Sequence, residues 1–472
     1  MSGFSKSDSL VASLRDRLGD DQVITDEGVV TCSNRTTFAM RGSNGLIVRP
    51  ASRSELSDVL RLLHRQGRSF HVSSGGRNWG YGSRVPVQPG CVLIDLSLMK
   101  RILNFDPERG LVVLEPGVTF RELNEFLHKN ATGFFLNPPS SGCDASVIGN
   151  HSQGGLLRSE IVARECAMLD AECVLPNGEI TNDDQRDWRS AGGVIMSATI
   201  VLDRYPPFWR HFEWRVGDRD LVKWLPQIRY LTEESVLEMP PNFYSELRIL
   251  STFARSPNSV PGSGRRLKDS ELERLKVEHG VASGLLSGVI KADSVDSLMT
   301  RKDQIESALP NTSFGAINDA GPYYGGWCDE GAALQSVYWQ MQDSEGFCGD
   351  PDVDRCGLIW LTPQIPFCHL AVKDCLGILS GSFAQFEFDF PYSIRVFDQR
   401  TLCIVASLHF DRSVPGDDRR ASQCYTTIKQ RIEAYGWRLR REPPVACHVT
   451  KPNKPIAAAS RLTGIDGAGN FQ

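Results

Sequence analysis

The chain has 472 residues, of which 41% are hydrophobic and 23% charged, and its formal net charge is −5. This is the composition of an ordinary globular protein, and the length suggests roughly two or three domains. Lys and Arg are spread along the chain, which argues against a nucleic-acid partner. The 13 cysteines include no C-x-x-C pair, so neither a disulfide scaffold nor a metal site is predicted.

The N-terminal segment is polar and lacks the apolar stretch of a secretory signal. No run of about 18 apolar residues is present, so no membrane span is predicted. We therefore expect a cytoplasmic protein with reduced, mostly buried thiols.

The first half of the chain alternates helical and strand patterns. Residues 53–66 repeat Leu and Val with a helical period, and Ser54 is the expected N-cap. Short β-branched runs predict strands at 70–74, 91–96 and 111–117. Together they indicate an α+β domain.

Two local signals follow in chain order. Thr119 with Glu122 three residues later forms a capping-box pattern, which predicts a helix from that point. Asn177-Gly178 lies in the middle of the apolar stretch 168–181, which predicts a strand–turn–strand.

A second region begins near the segment RYPPFW at 204–209, where the composition changes. Helices are predicted at 269–279 and 292–310, and strands at 357–367 and 401–410. The stretch 256–266 is rich in turn residues and is expected to be a surface loop.

A glycine-rich loop follows the strand at 70–74. Residues 75–82 contain four glycines in eight positions. Such a loop lets consecutive backbone N–H groups converge on a diphosphate. The spacing matches neither G-x-G-x-x-G nor a P-loop. A purely structural turn remains the alternative.

A second unusual segment spans 137–155, where small residues alternate with polar ones. This backbone is able to lie flat against a large planar ring and to offer N–H groups to its carbonyl oxygens. The isoalloxazine ring of a flavin has that shape. The alternative is a long surface loop.

Five stretches carry a resemblance to a known family, and they are GGRNWGYGS, VLIDLSLMKRI, VVLEPGVTFRELNEFL, SVIGN and VLPNGE. In order and spacing they resemble the FAD domain of the vanillyl-alcohol oxidase and p-cresol methylhydroxylase family. The resemblance runs from about residue 40 to 205 and continues more weakly to YGWRLRR near 436.

The resemblance implies an α+β fold with a two-subdomain FAD-binding domain and an α+β cap domain that contains an antiparallel sheet. The expected boundaries are 1–207 for the FAD-binding domain, 208–435 for the cap, and 436–472 for a segment that returns to the FAD domain.

The resemblance also implies a set of residues around FAD. The expected cofactor-binding residues are Ser74, Gly75, Gly76, Arg77, Asn78, Trp79, Pro116, Gly117, Ser141, Gly142, Cys143, Ser146, Gly149, Asn150, His151, Val194 and Ile195.

Three residues are the expected catalytic group. Tyr81 and Arg441 match two ligands of a phenolate oxygen in the phenol-oxidising members of the family. Ser141 occupies the position of the family's carboxylate near flavin N5, and Arg440 stands where a second tyrosine is expected. A serine is a poor proton acceptor at neutral pH.

Cys143, His151 and Gly154 have a spacing that resembles the C-x7-H-x2-G-G pattern of berberine-bridge-type oxidases, whose cysteine bonds to the flavin. The early-loop histidine of those enzymes is Arg77 here, so a two-point tether is excluded. A thioether at Cys143 and an unmodified cysteine both remain open. Similarly, Tyr392 is either a substrate or flavin contact or a core aromatic residue.

We therefore predict an FAD-dependent enzyme that transfers a hydride from a small aromatic substrate to flavin N5. Dioxygen or an acceptor protein would reoxidise the flavin, and the resemblance implies a homodimer. One alternative is an FAD oxidase of a non-phenolic alcohol, amine or secondary-metabolite intermediate. Another is a degenerate flavin-binding accessory subunit.

Overall fold

The computed structural model describes residues 4–130, 132–139, 141–155, 167–182, 192–217, 220–237, 241–257, 266–318, 332–341 and 346–443. Within these ranges the α-helices are α1 Phe4–Leu18, α2 Glu27–Ser33, α3 Arg53–Arg65, α4 Phe120–Lys129, α5 Val147–Ser152, α6 Leu221–Glu233, α7 Glu246–Leu250, α8 Asp269–Glu278, α9 Val295–Ala308, α10 Ala332–Gln335, α11 His369–Gln385 and α12 Asp417–Ala434.

The strands in the same ranges are β1 Val23–Ile24, β2 Asn44–Val48, β3 Phe70–Ser73, β4 Cys91–Asp95, β5 Ile102–Asp106, β6 Leu111–Leu114, β7 Phe134–Phe135, β8 Met168–Val174, β9 Ile180–Asn182, β10 Val194–Val201, β11 Asp203–Arg204, β12 Phe208–Val216, β13 Asn242–Tyr244, β14 Gly284–Ala292, β15 Ser313–Phe314, β16 Cys356–Leu361, β17 Pro363–Pro366, β18 Tyr392–Val396, β19 Thr401–Asp411 and β20 Arg438–Leu439.

The first sheet has the order β1-β2-β4-β3, and β4 runs parallel to both of its neighbours. β2 and β3 therefore run in the same direction on either side of β4, and strands of the same direction need a long connection, which α3 supplies between them. The buried face of α3 packs in one core with α1 and the sheet. The expected N-cap at Ser54 is wrong, because Ser52 Oγ accepts the hydrogen bond from Glu55 N and the helix begins at Arg53.

The second sheet is antiparallel, with the order β5-β6-β10-β8-β9. The predicted strand–turn–strand is confirmed as β8 and β9, and Gly178 has φ +84° in the turn. The predicted capping box is confirmed as well. Thr119 Oγ1 accepts from Glu122 N, and the Glu122 carboxylate accepts from Thr119 N. Helix α4 begins at the next residue.

The third sheet, called the cap sheet below, has the order β15-β12-β14-β13-β18-β19-β17-β20, and β16 also pairs with β19. All of its recorded pairings are antiparallel. Helices α6, α9, α11 and α12 contribute to its large core. The helices predicted at 269–279 and 292–310 are confirmed as α8 and α9, and the predicted strands at 357–367 and 401–410 as β16, β17 and β19.

The fold is therefore α+β with largely antiparallel sheets, as predicted. Most of the loop expected at 256–266 and the segment after residue 443 lie outside the described residues. The domain limits at 207 and 435 remain predictions. No helix in the described ranges combines the length and apolar character that crossing a membrane requires.

Candidate functional site

The glycine loop starts where β3 ends, and the side chain of Arg84 packs against it. Gly76 has φ +70°, and a Cβ there would lie 2.2 Å from Arg84 Nε. Arg84 Nη2 donates to the Gly75 carbonyl at 3.2 Å, and Arg84 also forms an ion pair with Asp350 at 3.6 Å. The left-handed φ and this close approach explain why a glycine is needed at 76.

The cap sheet packs directly against the other end of this loop. Gly80 has φ +78°, and a Cβ there would lie 2.3 Å from Trp360 Cδ1 on β16. Trp360 Nε1 donates to the Trp79 carbonyl at 3.1 Å. Gly80 therefore permits a contact between the loop and the cap sheet that a side chain would block.

The second unusual segment lies beside the glycine loop. A Cβ at Gly75 would be 3.7 Å from Ser146 N, and one at Gly149 would be 3.4 Å from Ser74 Oγ. Arg77 forms an ion pair with Asp144 at 3.3 Å, which ties the two segments together. The glycine loop and the 137–155 segment are therefore adjacent, and a space lies between them.

Ser146 organises the second segment. Its Oγ accepts from Gly149 N at 2.8 Å, which caps α5, and donates to the Pro116 carbonyl at 2.7 Å. The loop after β6 and the start of α5 are thereby fixed to each other, and Pro116 and Gly149 both face the space described next.

The two segments line a cavity of about 380 Å³, called the cofactor cavity below. Its wall includes many of the residues expected to bind FAD, which are Ser74, Gly75, Gly76, Arg77, Asn78, Pro116, Ser141, Ser146, Gly149, Asn150, Val194 and Ile195. The expected residues that do not line it are Trp79, Gly117, Gly142, Cys143 and His151.

Sequence reasoning missed several residues of this wall, among them His71, Leu96, Ile148 and Gln153. Leu96 follows the carboxyl end of β4, and its backbone N–H donates to the carbonyl of Ser73 at the carboxyl end of the parallel neighbour β3. The edge formed by the carboxyl ends of parallel strands is a common ligand site. That edge was not identifiable before the strand pairing was known.

Two buried polar atoms on this wall suit a polar ligand. Asn150 Oδ1 and His71 Nε2 have no hydrogen-bond partner among the described residues. Burial lowers the pKa of His71, against a hydrogen bond with Ser83 that raises it. Buried polar groups are normally satisfied, so both atoms fit a cavity that holds a large polar cofactor.

A second cavity of about 200 Å³, called the substrate cavity below, adjoins the first. The two share five wall residues, which are Arg77, Asn78, Tyr81, Ser141 and Asn150. The far wall of the substrate cavity belongs to the cap sheet and includes Asn242, Tyr244, Ser393, Arg395 and Trp360. A ligand in this cavity would therefore lie between the cofactor cavity and the cap sheet.

Tyr81 and Arg441 are in direct contact on this wall. Arg441 Cζ lies 3.8 Å from the centroid of the Tyr81 ring, and Arg441 Nη2 donates to Asn78 Oδ1 at 2.9 Å. Burial raises the pKa of Tyr81, while Arg441 and a hydrogen bond with Thr362 oppose that rise. The Tyr81 hydroxyl is therefore protonated at neutral pH and remains able to donate a hydrogen bond.

The charged side chains that line the substrate cavity are all positive. Its wall includes five arginines, which are Arg77, Arg248, Arg395, Arg440 and Arg441. None of the described residues that line either cavity is an Asp or a Glu. Ser141 lies where the family resemblance places a carboxylate, so the described part of the wall offers no carboxylate base. This charge favours an anionic ligand.

Cys143 and His151 line neither cavity. Cys143 is 4% exposed, and its carbonyl accepts from Arg121 N. His151 is fully buried, its Nδ1 lies 2.7 Å from the Val147 carbonyl, and its ring stacks on Phe120. Tyr392 is buried against Phe390 in the core of the cap sheet and lines neither cavity.

We accordingly expect FAD to be bound without a covalent bond to Cys143. Acid precipitation of the protein should leave the flavin in the supernatant, where its absorbance is measured. Cys143→Ala should retain as much FAD as the unsubstituted protein. Flavin fluorescence that stays with the denatured chain and disappears in Cys143→Ala would contradict this expectation.

Comparisons with known proteins agree with this geometry. Residues 45–184, which include the glycine loop and the 137–155 segment, match the family described as an FAD binding domain. The 1'-carboxy-chondrochloren decarboxylase of Chondromyces crocatus is 28% identical, over 90% of this chain and 88% of that protein.

Two solved structures share the fold over nearly the whole chain. p-Cresol methylhydroxylase with substrate bound has a TM-score of 0.80 at 18% identity, and covers 93% of this chain and 89% of its own. The 4-ethylphenol oxidase of Gulosibacter chungangensis, in complex with isoeugenol, has a TM-score of 0.79 at 17% identity, and covers 94% and 90%. At 18% and 17% sequence identity, these similarities establish a shared fold and no more than that.

The fold, the matched FAD domain and the two joined cavities define an FAD-dependent oxidoreductase. Residues 45–184 form the FAD-binding domain, the fold as a whole is that of p-cresol methylhydroxylase, and FAD is the cofactor.

Proposed function

We propose that this enzyme oxidises a small phenolic or benzylic substrate at a carbon next to the aromatic ring. The observation that carries the proposal is the Tyr81–Arg441 contact on the wall of a cavity that adjoins the cofactor cavity. Both solved relatives named above act on or bind phenols according to their names. Bound FAD would supply a two-electron acceptor for the hydride.

The cofactor would be held by the residues that the two segments bring together. Backbone groups of the loop from Ser74 to Asn78 would contact the diphosphate, which needs no cationic side chain if several N–H groups converge. The segment from Ser141 to Asn150 would lie along the ring system, with Asn150 Oδ1 as an acceptor for a ring N–H. Val194 and Ile195 would provide an apolar contact.

Tyr81 and Arg441 would act on the phenol oxygen. The protonated Tyr81 hydroxyl would donate a hydrogen bond to a phenolate, and the guanidinium of Arg441 would stabilise its charge. A phenolate releases a benzylic hydride more readily, because a p-quinone methide product delocalises the charge. Groups that are already in place stabilise this charge at little reorganisation cost.

A second candidate is oxidative decarboxylation, and the charge of the cavity favours it. Five arginines and no acidic side chain line the described wall, which suits a substrate that carries a carboxylate. The relative from Chondromyces crocatus is named as a decarboxylase. Ser141 also fits this reaction, because loss of carbon dioxide requires no base to activate water.

The electrons balance in this second reaction when oxidised FAD is the acceptor. With p-hydroxyphenylpropanoate, the benzylic C–H bond breaks and the hydrogen leaves as hydride, giving a p-quinone methide. The bond to the carboxylate carbon then breaks, and its electron pair restores the aromatic ring. The products are p-hydroxystyrene and carbon dioxide.

One experiment tests both candidates. The purified protein should be yellow and should bleach under anaerobic conditions with p-ethylphenol or p-hydroxyphenylpropanoate, as followed by flavin absorbance. Carboxyl-labelled substrate should release labelled carbon dioxide if the second candidate holds, and retain the label if it does not. Admitting air, or adding a redox-protein acceptor, identifies the reoxidant.

A colourless protein that does not take up added FAD would overturn the proposal. Bound flavin that no phenol, alcohol, amine or carboxylate in a broad panel reduces would instead support an accessory role.

A further inference from the structure

A carboxylate from a distant part of the chain contacts the glycine loop at two places. Asp350 lies in the segment that leads into β16 of the cap sheet, 271 positions after Trp79. Its Oδ1 accepts a hydrogen bond from Trp79 Nε1 at 3.3 Å, and its Oδ2 lies 3.6 Å from Arg84 Nη1. The backbone N–H of Asp352 also donates to Oδ1 at 3.1 Å, which helps to fix the carboxylate between its two partners.

Arg84 connects this carboxylate to the backbone of the loop. Arg84 Nη2 donates to the Gly75 carbonyl at 3.2 Å. The carbonyl of Gly75 and the N–H of Gly76 belong to one trans peptide unit, in which they point in opposite directions. Gly75 and Gly76 line the cofactor cavity, and Arg84 does not. The N–H of Gly76 therefore points away from Arg84, a direction that suits a ligand in the cavity.

Trp79 fixes the other end of the same stretch. Its side chain is 6% exposed and packs in one core with Leu358 of β16. The Trp79 carbonyl accepts from Trp360 Nε1, while its own Nε1 donates to Asp350. The backbone between Gly75 and Trp79 is therefore held at both ends by contacts that include one carboxylate.

The segment around Asp350 is itself well anchored. The Asp354 carboxylate accepts from the backbone N–H groups of Cys348 and Gly349 at 3.0 Å each, and from the Tyr338 hydroxyl at 2.7 Å. In contrast, the side chains of Arg84 and Asp350 are 32% and 29% exposed. Ion pairs that water partly screens add little to folding stability, so we expect this pair to affect mainly the geometry of the loop.

We infer that Asp350 is a positioning residue for the diphosphate of FAD, because it orients the two side chains that hold the glycine loop. The inference rests on the proposed function, in which the loop from Ser74 to Asn78 contacts the diphosphate. Backbone N–H groups bind an anion well when they are already fixed in converging directions. Asp350 lines neither cavity, so it would act on the cofactor through Arg84 and Trp79.

The first test is Asp350→Asn, which removes the charge and keeps an oxygen for Trp79. The variant is expected to raise the dissociation constant of FAD about tenfold, a difference of about 1.4 kcal/mol. The FAD-loaded protein is diluted in steps, and the fluorescence of released FAD gives this constant. The phosphorus NMR resonances of bound FAD should shift, while the visible absorbance of its ring system should stay unchanged. A general loss of structure would change both signals.

A double variant shows whether Asp350 acts through Arg84. Arg84→Gln is expected to raise the dissociation constant by a similar factor, and Asp350→Asn added to it should raise the constant less than about twofold further. Asp350→Glu, which keeps the charge, should recover part of the affinity. Asp374→Asn, at an exposed aspartate of α11, is the control and should change nothing. The unfolding midpoint shows that each variant is folded.

Two outcomes would overturn the role of Asp350. Either Asp350→Asn leaves the dissociation constant and the phosphorus resonances unchanged, or its effect simply adds to that of Arg84→Gln. If Arg84→Gln alone weakens FAD binding, the diphosphate site at the loop stands and only the role of Asp350 fails. If neither variant changes the affinity or the resonances, the placement of the diphosphate at this loop fails as well.

Discussion

The Arg441→Ala enzyme is expected to oxidise p-alkylphenols about 100-fold more slowly than the unsubstituted enzyme, a loss of about 2.7 kcal/mol of transition-state stabilisation. Arg441 stacks on Tyr81 and is oriented by Asn78 and Thr362. Removing it takes away the charge that would stabilise the phenolate and leaves Tyr81 without its stacked neighbour. The measurement is kcat/KM from anaerobic flavin reduction, followed over a range of phenol concentrations.

Arg438→Ala is the matched control, because Arg438 is an exposed arginine of β20 three positions before Arg441. It should leave kcat/KM within about twofold. An Arg441→Ala enzyme that oxidises phenols at the normal rate would contradict the phenolate role of the pair and favour a non-phenolic substrate.

Gly117→Ala is expected to lower the free energy of unfolding by about 3 kcal/mol and to release FAD. A Cβ at this position would lie 2.6 Å from the Met99 carbonyl oxygen, 2.7 Å from that of Leu96 and 2.9 Å from that of Ser97. All three atoms belong to the backbone, so no side-chain rotation relieves the contact. The loop must shift, and it carries Pro116, which lines the cofactor cavity.

Gly377→Ala provides the comparison, since Gly377 lies inside α11 and a Cβ there would meet no atom within 4 Å. That change should be neutral or stabilise by up to about 1 kcal/mol. Denaturant unfolding gives the free energies, and the ratio of flavin to protein absorbance gives the FAD content. Normal stability and full FAD content in Gly117→Ala would show that the loop accommodates the methyl group.

Elements that depend on neighbours in the chain were predictable. The capping box of Thr119 and Glu122 and the turn at Gly178 use residues at most a few positions apart, so their hydrogen bonds and φ angles follow from local chemistry. The N-cap of α3 was misplaced by two residues, because two serines, Ser52 and Ser54, compete for that role and only the start of the helix distinguishes them.

The glycine loop was also found from the sequence, because glycine clusters mark backbone that must approach something closely. What it approaches was not predictable from the same residues. Gly80 makes room for Trp360, which is 280 positions away and belongs to the cap sheet. That contact exists only after the sheet has formed and packed on the loop.

The sequence by itself, through its glycine-rich stretches and their resemblance to a known family, determined the cofactor class, the α+β fold and about half of the wall of the cofactor cavity. Only the tertiary structure decided that Arg248 and Arg395 share a cavity with Tyr81, and that Cys143 and His151 do not face it. An arginine in a strand has the same local pattern whether its side chain meets water or a ligand. Strand register and the packing of the cap sheet on the loop determine whether such an arginine meets water or a ligand, because they decide which face of the sheet is buried.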